Sequence, residues 1–300
     1  DTFPWLKYVP DWFPGAGFKR KAEESGKLAM QMVHKPFDDG KAIMEKYGVP
    51  SFISAALSKI NASQDRTEQE AVVRDAAGAM YLAGNDTTVS VIATFILAML
   101  YAPEVQDKAH KELDRVIPEG RLPDFTDAES LPYVTALVKE TLRWKNVAPL
   151  AIPHYLEVED EYNGYRIPAN SVVIGNVWAI LHDERNYPEP FSFKPDRYIV
   201  DGKLSFESCR DPATIVFGFG RRVCPGRYMG YSSVWIGKYQ RHSITSILKV
   251  FKIQKAKDEN GNVLEPTYKY LDGLAIVPAP FECLMLPRSA AAEELIKSLE

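Results

Sequence analysis

The chain has 300 residues, 46% hydrophobic and 25% charged, enough for one large core or two smaller ones. A net charge of −4 and a pI of about 5.9 leave no global electrostatic case for nucleic-acid binding. The three cysteines, Cys209, Cys224 and Cys283, are odd in number and widely spaced, which is not a disulfide framework and fits a reducing compartment.

Residues 1–17 set Trp5, Trp12 and Phe13 among Pro4, Pro10 and Pro14. They read as a loop with apolar anchors, suited to lipid contact, to roofing a pocket or to ordinary packing. Residues 19–47 have helical character, residues 51–60 form a short amphipathic helix, and residues 61–63 make a polar connection. Thr67 is placed to cap the next helix, with Glu70 three residues on as a capping box. That helix runs to about Leu100, before Pro103. Its stretch 76–102 is long and apolar enough to span a bilayer. Asn85, Asp86, Thr87 and Thr88 near its middle favour the central helix of a large domain instead. Residues 103–116 read as a helix with a Glu104–Lys108 pair at i, i+4. A further helix starts at Asp127 or Ser130 and ends before Pro149. Residues 155–177 change to strand-like periodicity, and 186–211 are irregular. Helix returns after Cys224 to about Phe251. A turn at 258–262 and strands over 274–286 complete a mainly α chain with a small β region.

The most informative stretch is Phe217-Gly218-Phe219-Gly220-Arg221-Arg222-Val223-Cys224-Pro225-Gly226-Arg227. Nearby guanidinium groups and a helix N-terminus favour a thiolate, and glycines let the backbone approach a sulfur closely. Such a thiolate serves as a nucleophile or a metal ligand, and the flanking residues argue for a ligand to heme iron. Arg222 can pair with a heme propionate, Phe217 can cover the sulfur side, and Gly220 can form a tight bulge. The competing reading, a small buried apolar cysteine, does not explain the arginines.

Three more constellations carry chemistry. Ala83-Gly84-Asn85-Asp86-Thr87-Thr88 puts a glycine and an acid–alcohol pair inside the long helix. Gly84 would leave room beside a flat cofactor, and Asp86 with Thr87 could move protons. A plain kink with an incidental buried aspartate is the alternative. Glu140-Thr141-Leu142-Arg143 places Glu140 and Arg143 on one helix face, by itself a routine pair. His154 follows Pro153, and taken alone reads as a surface or core histidine. His34, His110, His182 and His242 read as structural. Asn61 and Asn85 both head glycosylation sequons, which are set aside.

Phe217, Gly220, Arg222, Cys224 and Gly226 resemble the cysteine-ligand loop of the cytochrome P450 family. The other motifs follow in that family's order, including Phe193-Lys194-Pro195-Asp196-Arg197-Tyr198. The resemblance implies the cytochrome P450 fold, with heme bound by the Cys224 thiolate. Gly226 and Arg227 would donate to the sulfur, because Pro225 lacks an N–H. It implies that Asp86 and Thr87 deliver protons in oxygen activation. It also implies that Arg222 and His154 hold propionates and that Arg197 completes a structural cluster with Glu140 and Arg143.

By the same resemblance the chain inserts one oxygen atom of dioxygen into a lipophilic small-molecule substrate. Electrons come from an NADPH-cytochrome P450 reductase-type donor docking near Arg221 and Arg227. Ala79 or Ala83, Val147, Ala148, Leu150, Ile152 and Leu274 are the candidate substrate contacts. Residues 12–20 are similar to fungal, particularly basidiomycete, members of secondary metabolism or xenobiotic oxidation. The expected location is the cytosolic face of the endoplasmic reticulum membrane. The resemblance covers nearly all of this chain but only about the C-terminal three fifths of a family member. Residues 1–300 therefore read as one cytochrome P450 domain fragment without its N-terminal part or membrane anchor. A catalytically silent heme-binding fragment and a peroxide-rearranging member are the other readings; the Asp86–Thr87 pair argues against the second. The polar stretch 237–243 departs from the family pattern and reads as an insertion or a gene-model error.

Overall fold

The structure is a computed structural model and describes residues 3–60, 65–235 and 243–298. Backbone contacts divide the chain into two units, Asp1–Asn85 and Asp86–Glu300.

In the first unit, a 3-10 turn over Pro4–Tyr8 precedes α1 (Gly17–Tyr47) and α2 (Phe52–Leu57). The long helix α3 (Arg66–Tyr101) begins here. Its cap differs from the sequence expectation. Asp65, not Thr67, caps it, accepting the Thr67 N–H on its carboxylate at 2.8 Å. Glu70 instead bonds Arg66 and Lys41. Aspartate is a stronger N-cap than threonine, so the helix starts earlier. Phe37, Ile53 and Ala77 form a small core. Trp5, Trp12 and Phe13 are exposed. The connection at 61–63 and its sequon lie outside the described residues.

In the second unit the core gathers the C-terminal half of α3 with α4 (Pro103–Val116), α5 (Pro132–Trp144), α8 (Arg227–Trp235) and α9 (Ile244–Val250). Two shorter helices, α6 (Val177–Leu181) and α7 (Ala213–Val216), join a second cluster around Tyr187 and Tyr198. α3 is long and apolar enough to cross a membrane by length and composition. Phe95, Ala98 and Met99 on its C-terminal half are nonetheless fully buried in protein. Proline at the first position of α4 and α5 starts each where an N–H needs no partner.

The β content is five antiparallel two-stranded sheets among the described residues. β1 (His154–Tyr155) pairs with β4 (Val172–Val173), and β2 (Asp160–Tyr162) with β3 (Tyr165–Ile167). β5 (Ile199–Val200) pairs with β6 (Lys203–Leu204). β7 (Phe251–Lys255) pairs with β10 (Cys283–Pro287), and β8 (Tyr270–Leu271) with β9 (Val277–Pro278). A C-terminal helix, α10 (Ala290–Lys297), capped by Ser289, has no counterpart in the sequence reading. The architecture is mainly α with a small β part, as the motifs imply.

One expected local pair is replaced by a tertiary one. Lys108 pairs with Asp196 at 2.7 Å rather than with Glu104. An exposed i, i+4 pair is worth only a few tenths of a kcal/mol, too little to hold Lys108 once packing brings Asp196 near. Residues 237–242 of the polar stretch lie outside the described residues, while Ser243 caps α9 through the Ser246 N–H.

Candidate active site

The cysteine loop is built from both ends. Asp211 starts it by accepting the Ala213 N–H at 2.9 Å, which opens α7. Ile215 in α7 is buried and anchors the turn. Gly218 and Gly220 then adopt φ of +81° and +57°, the left-handed region that favours glycine. The chain reverses, and the Cys224 N–H closes the loop on the Phe217 carbonyl at 2.8 Å. α8 follows at once, its first N–H, from Arg227, reaching the Cys224 carbonyl at 3.3 Å.

This corrects one expectation. Among the described residues no backbone N–H donates to the Cys224 sulfur; the Arg227 N–H and one guanidinium nitrogen go to the Cys224 carbonyl instead. Cys224 is half-buried. A Cβ at Gly226 would stand 3.8 Å from its sulfur, so glycine leaves that flank open. The Phe217 ring lies beside Gly230, 3.7 Å from where a Cβ would be. Arg221 and Arg222 are exposed, and neither pairs with a carboxylate among the described residues.

His154 lies on β1 opposite Val173, exposed and likewise without a carboxylate partner among the described residues. The sequence reading missed what ties this strand pair to the cysteine loop. A Cβ on Gly175 would lie 2.9 Å from Phe219 Cε2 and 3.7 Å from the Ala151 methyl. The Phe219 ring therefore rests on bare backbone just past β4. Ala151 itself has φ of +52°. The available signal was a glycine ending the run Val172-Val173-Ile174, where a strand glycine marks close approach.

On α3, Asp86 and Thr87 are exposed, about one turn before buried Ser90. Ser90 Oγ donates to the Ile276 carbonyl at 2.6 Å, and the Ile276 N–H donates to the Val147 carbonyl at 2.8 Å. The Tyr270 hydroxyl donates to Thr94 Oγ1 at 3.2 Å. The helix is thus pinned to the late strands and to the segment after α5. Leu150, Ile152 and Leu274 are exposed apolar side chains on those segments, while Val147 packs on the core. Gly84 belongs to the first unit, and the space at its Cβ position is open. Ala79 and Ala83 are in that unit too.

The Glu140 cluster assembles fully. Glu140 and Arg143 are 0% exposed. Glu140 accepts from Arg143 Nε and Nη2 at 2.8 Å each, from the Lys194 N–H at 2.8 Å, and from Arg197 Nε at 3.2 Å. The Tyr198 hydroxyl adds a fifth donor at 3.2 Å. Arg143 reaches the Leu181 and Ser192 carbonyls, and Arg197 those of Pro188 and Glu189. Burial opposes the Arg143 charge, but the Glu140 carboxylate outweighs it and holds the pKa above its ordinary value.

The remaining histidines of the described residues are structural in setting. His182 stacks on Trp178 at 4.6 Å. His110 is buried with Nε2 unpartnered, and His34 Nε2 is in the same position. His242 lies outside the described residues. Among the described residues no group of three His, Cys, Asp or Glu side chains could hold a metal ion.

The residues present fit a heme. Among the described residues the donor set is one thiol beside Gly226, Arg221, Arg222 and His154 without carboxylate partners, and the exposed apolar side chains of Leu150, Ile152 and Leu274. A flat apolar macrocycle with two carboxylates and an iron that takes thiolate needs those groups.

Comparison with known proteins agrees. The family model for cytochrome P450 matches residues 1–282. The chain is 47% identical to cytochrome P450 monooxygenase 98 of Postia placenta, covering 100% of this chain and 57% of that protein. It is 46% identical to a cytochrome P450 monooxygenase of Armillaria gallica, covering 99% and 56%. It is 41% identical to tryptamine 4-monooxygenase of Psilocybe cyanescens, covering 100% and 58%. The chain spans a little over half the length of these relatives.

Proposed function

The chain belongs to the cytochrome P450 family, and from that premise we propose that its protein is a heme-thiolate monooxygenase acting on a lipophilic organic substrate. When bound, the heme iron supplies the oxidising chemistry that places one oxygen atom of dioxygen in the substrate and releases the other as water. Cys224 would hold the iron through its thiolate, and Gly226, having no side chain, would keep that flank of the sulfur clear. Phe217, seated beside Gly230, shields the same sulfur from water. Arg222 and His154, both without carboxylate partners among the described residues, pair with the two propionates. Gly220 gives the loop its reversal.

Asp86 and Thr87 hold and move protons. Asp86 takes a proton from solvent at its carboxyl, and the Thr87 hydroxyl passes it on and orients a water. Glu140, Arg143 and Arg197 fix the segments around α5 that the cysteine loop leans on; they are structural. The apolar side chains of Leu150, Ile152 and Leu274 suit a lipophilic substrate.

An NADPH-dependent reductase of the cytochrome P450 type delivers electrons at the basic surface of Arg221 and Arg227. The protein works at the cytosolic face of the endoplasmic reticulum membrane in fungal secondary metabolism. The family match runs across both units, which supports reading residues 1–300 as part of one cytochrome P450 domain.

The observation that carries this reading is the loop closed by the Cys224 N–H on Phe217, with the sulfur left open beside Gly226. The test is the absorption spectrum of the reduced, carbon-monoxide-bound protein. A thiolate-type Soret band that disappears in Cys224→Ser is expected. A histidine-type band in the unaltered protein would overturn the ligand assignment.

A further inference from the structure

We propose that Lys139 is a positioning residue that holds both flanks of the cysteine loop, so that one ammonium group sets where the Cys224 sulfur stands. Lys139 lies on α5 next to Glu140 and is 8% exposed. Its Nζ contacts both carboxylate oxygens of Asp211, at 2.9 and 2.8 Å. The same Nζ stands over two rings, 4.6 Å from the centre of Tyr231 and 5.4 Å from that of Phe206. An ammonium offers three donors and a compact charge. Here it is shared between one carboxylate and two aromatic faces, in a setting dry enough for cation–π attraction to count.

These partners sit at the two ends of the loop. Asp211 is the upstream end. Its carboxylate caps α7 through Ala213, and its carbonyl accepts the Thr214 N–H at 3.1 Å and the Thr214 hydroxyl at 2.7 Å. Phe217, which closes on Cys224, follows directly. Tyr231 is the downstream end, on α8, next to the Gly230 that lies beside Phe217. One turn along each helix the docking repeats, with Trp235 Nε1 donating to Thr135 Oγ1 at 3.0 Å. Thr135 and Lys139 are i, i+4 on α5, and Tyr231 and Trp235 are i, i+4 on α8, so each pair shares a helix face. The loop between Asp211 and Tyr231 is therefore stapled to α5 at both ends by one side chain.

The loop geometry is independent of any cofactor. The consequence for the sulfur rests on the heme-thiolate reading, and the experiment separates the two. It uses the full-length protein with Lys139→Met, which keeps the length but not the charge, and Lys139→Arg, which restores it. Hydrogen exchange is read on the peptide 217–230 and on α4 as a control, together with the Soret band of the reduced, carbon-monoxide-bound form. In Lys139→Met the Cys224 amide exchanges about tenfold faster while α4 is unchanged. Part of the thiolate-type band is lost, and Lys139→Arg recovers both readings. Unchanged exchange in 217–230, or a rise of equal size in α4, would overturn the proposal. A wild-type protein without a thiolate-type band would refute the heme reading while leaving the exchange comparison decisive for the clamp. Should Lys139→Met not fold, Tyr231→Leu leaves the Lys139–Asp211 pair intact and removes only the downstream hold. The same local rise in exchange is expected, and its absence would overturn the proposal.

Discussion

Replacing Glu140 with glutamine tests the energetic logic of the fold around the site. The Glu140 carboxylate takes five donors at 0% exposure, three of them from arginine nitrogens. Glutamine has nearly the same shape but only one acceptor oxygen. Its amide N–H groups would face the guanidinium of Arg143, itself 0% exposed. Arg143 would be left as an uncompensated buried charge, which costs about 3–5 kcal/mol. That is a large share of the roughly 5–15 kcal/mol that holds a domain folded. With a urea dependence of ~2 kcal/mol/M, the unfolding midpoint falls by about 2 M. The assay is urea unfolding followed by tryptophan fluorescence and far-ultraviolet circular dichroism. The double variant Glu140→Gln, Arg143→Met is expected to lose less than the two single losses added, because the stranded charge is gone. A loss below about 1 kcal/mol in Glu140→Gln, typical of a solvated surface pair, would refute the reasoning.

Two further outcomes follow from local physics. Burial lowers the His110 pKa from 6.5 to about 4, and nearby Arg288 adds to this, against the Phe251 carbonyl, Asp114 and Asp107. The folded state thus keeps His110 neutral while the unfolded chain protonates first. Its contribution is full above pH 6.5 and drains as pH falls toward about 4, by roughly 3 kcal/mol at most. The urea midpoint of His110→Phe is expected to fall less steeply over that window than wild type, and parallel slopes would count against it. Gly175→Ala brings a methyl to 2.9 Å from Phe219 Cε2, an overpacking cost of about 1–3 kcal/mol. Thermal unfolding should show it, with Phe219→Leu in the same chain restoring stability; an unshifted melt would deny the close approach.

The chemistry-bearing motifs were legible because each is local. The Cys224 loop announces itself by glycines and arginines crowded around one sulfur, and Glu140 with Arg143 by i, i+3 spacing. The long helices were legible from their apolar runs and from Pro103. What escaped is tertiary. Nothing in the letters Lys-Glu-Thr-Leu-Arg marks Lys139 as more than a solvated charge, because Asp211 and Tyr231 lie some 70 and 90 positions away. Gly175 and Phe219 gain meaning only once strand and loop pack together. Two local readings failed for different reasons, one to a local rival and one to a tertiary partner. Thr67 was outcompeted by Asp65 as a cap, and Lys108 found Asp196 across the fold. The short helix α10 carries no capping glutamate or proline signal beyond Ser289 and went unread.

The main chain of Ile276 serves as a crosspiece, taking the Ser90 hydroxyl on one side and giving its N–H to Val147 on the other. Peptide groups are common to every amino acid, so the Ile276–Val147 half of this brace is indifferent to which side chains project from those two segments, while the other half needs only the Ser90 hydroxyl. Residues such as Leu150, Ile152 and Leu274 are then free to vary among descendants while the frame that presents them stays put. On the monooxygenase reading proposed above, a lineage built on such a frame changes what it accepts one side chain at a time, without first loosening the helix that carries Asp86 and Thr87.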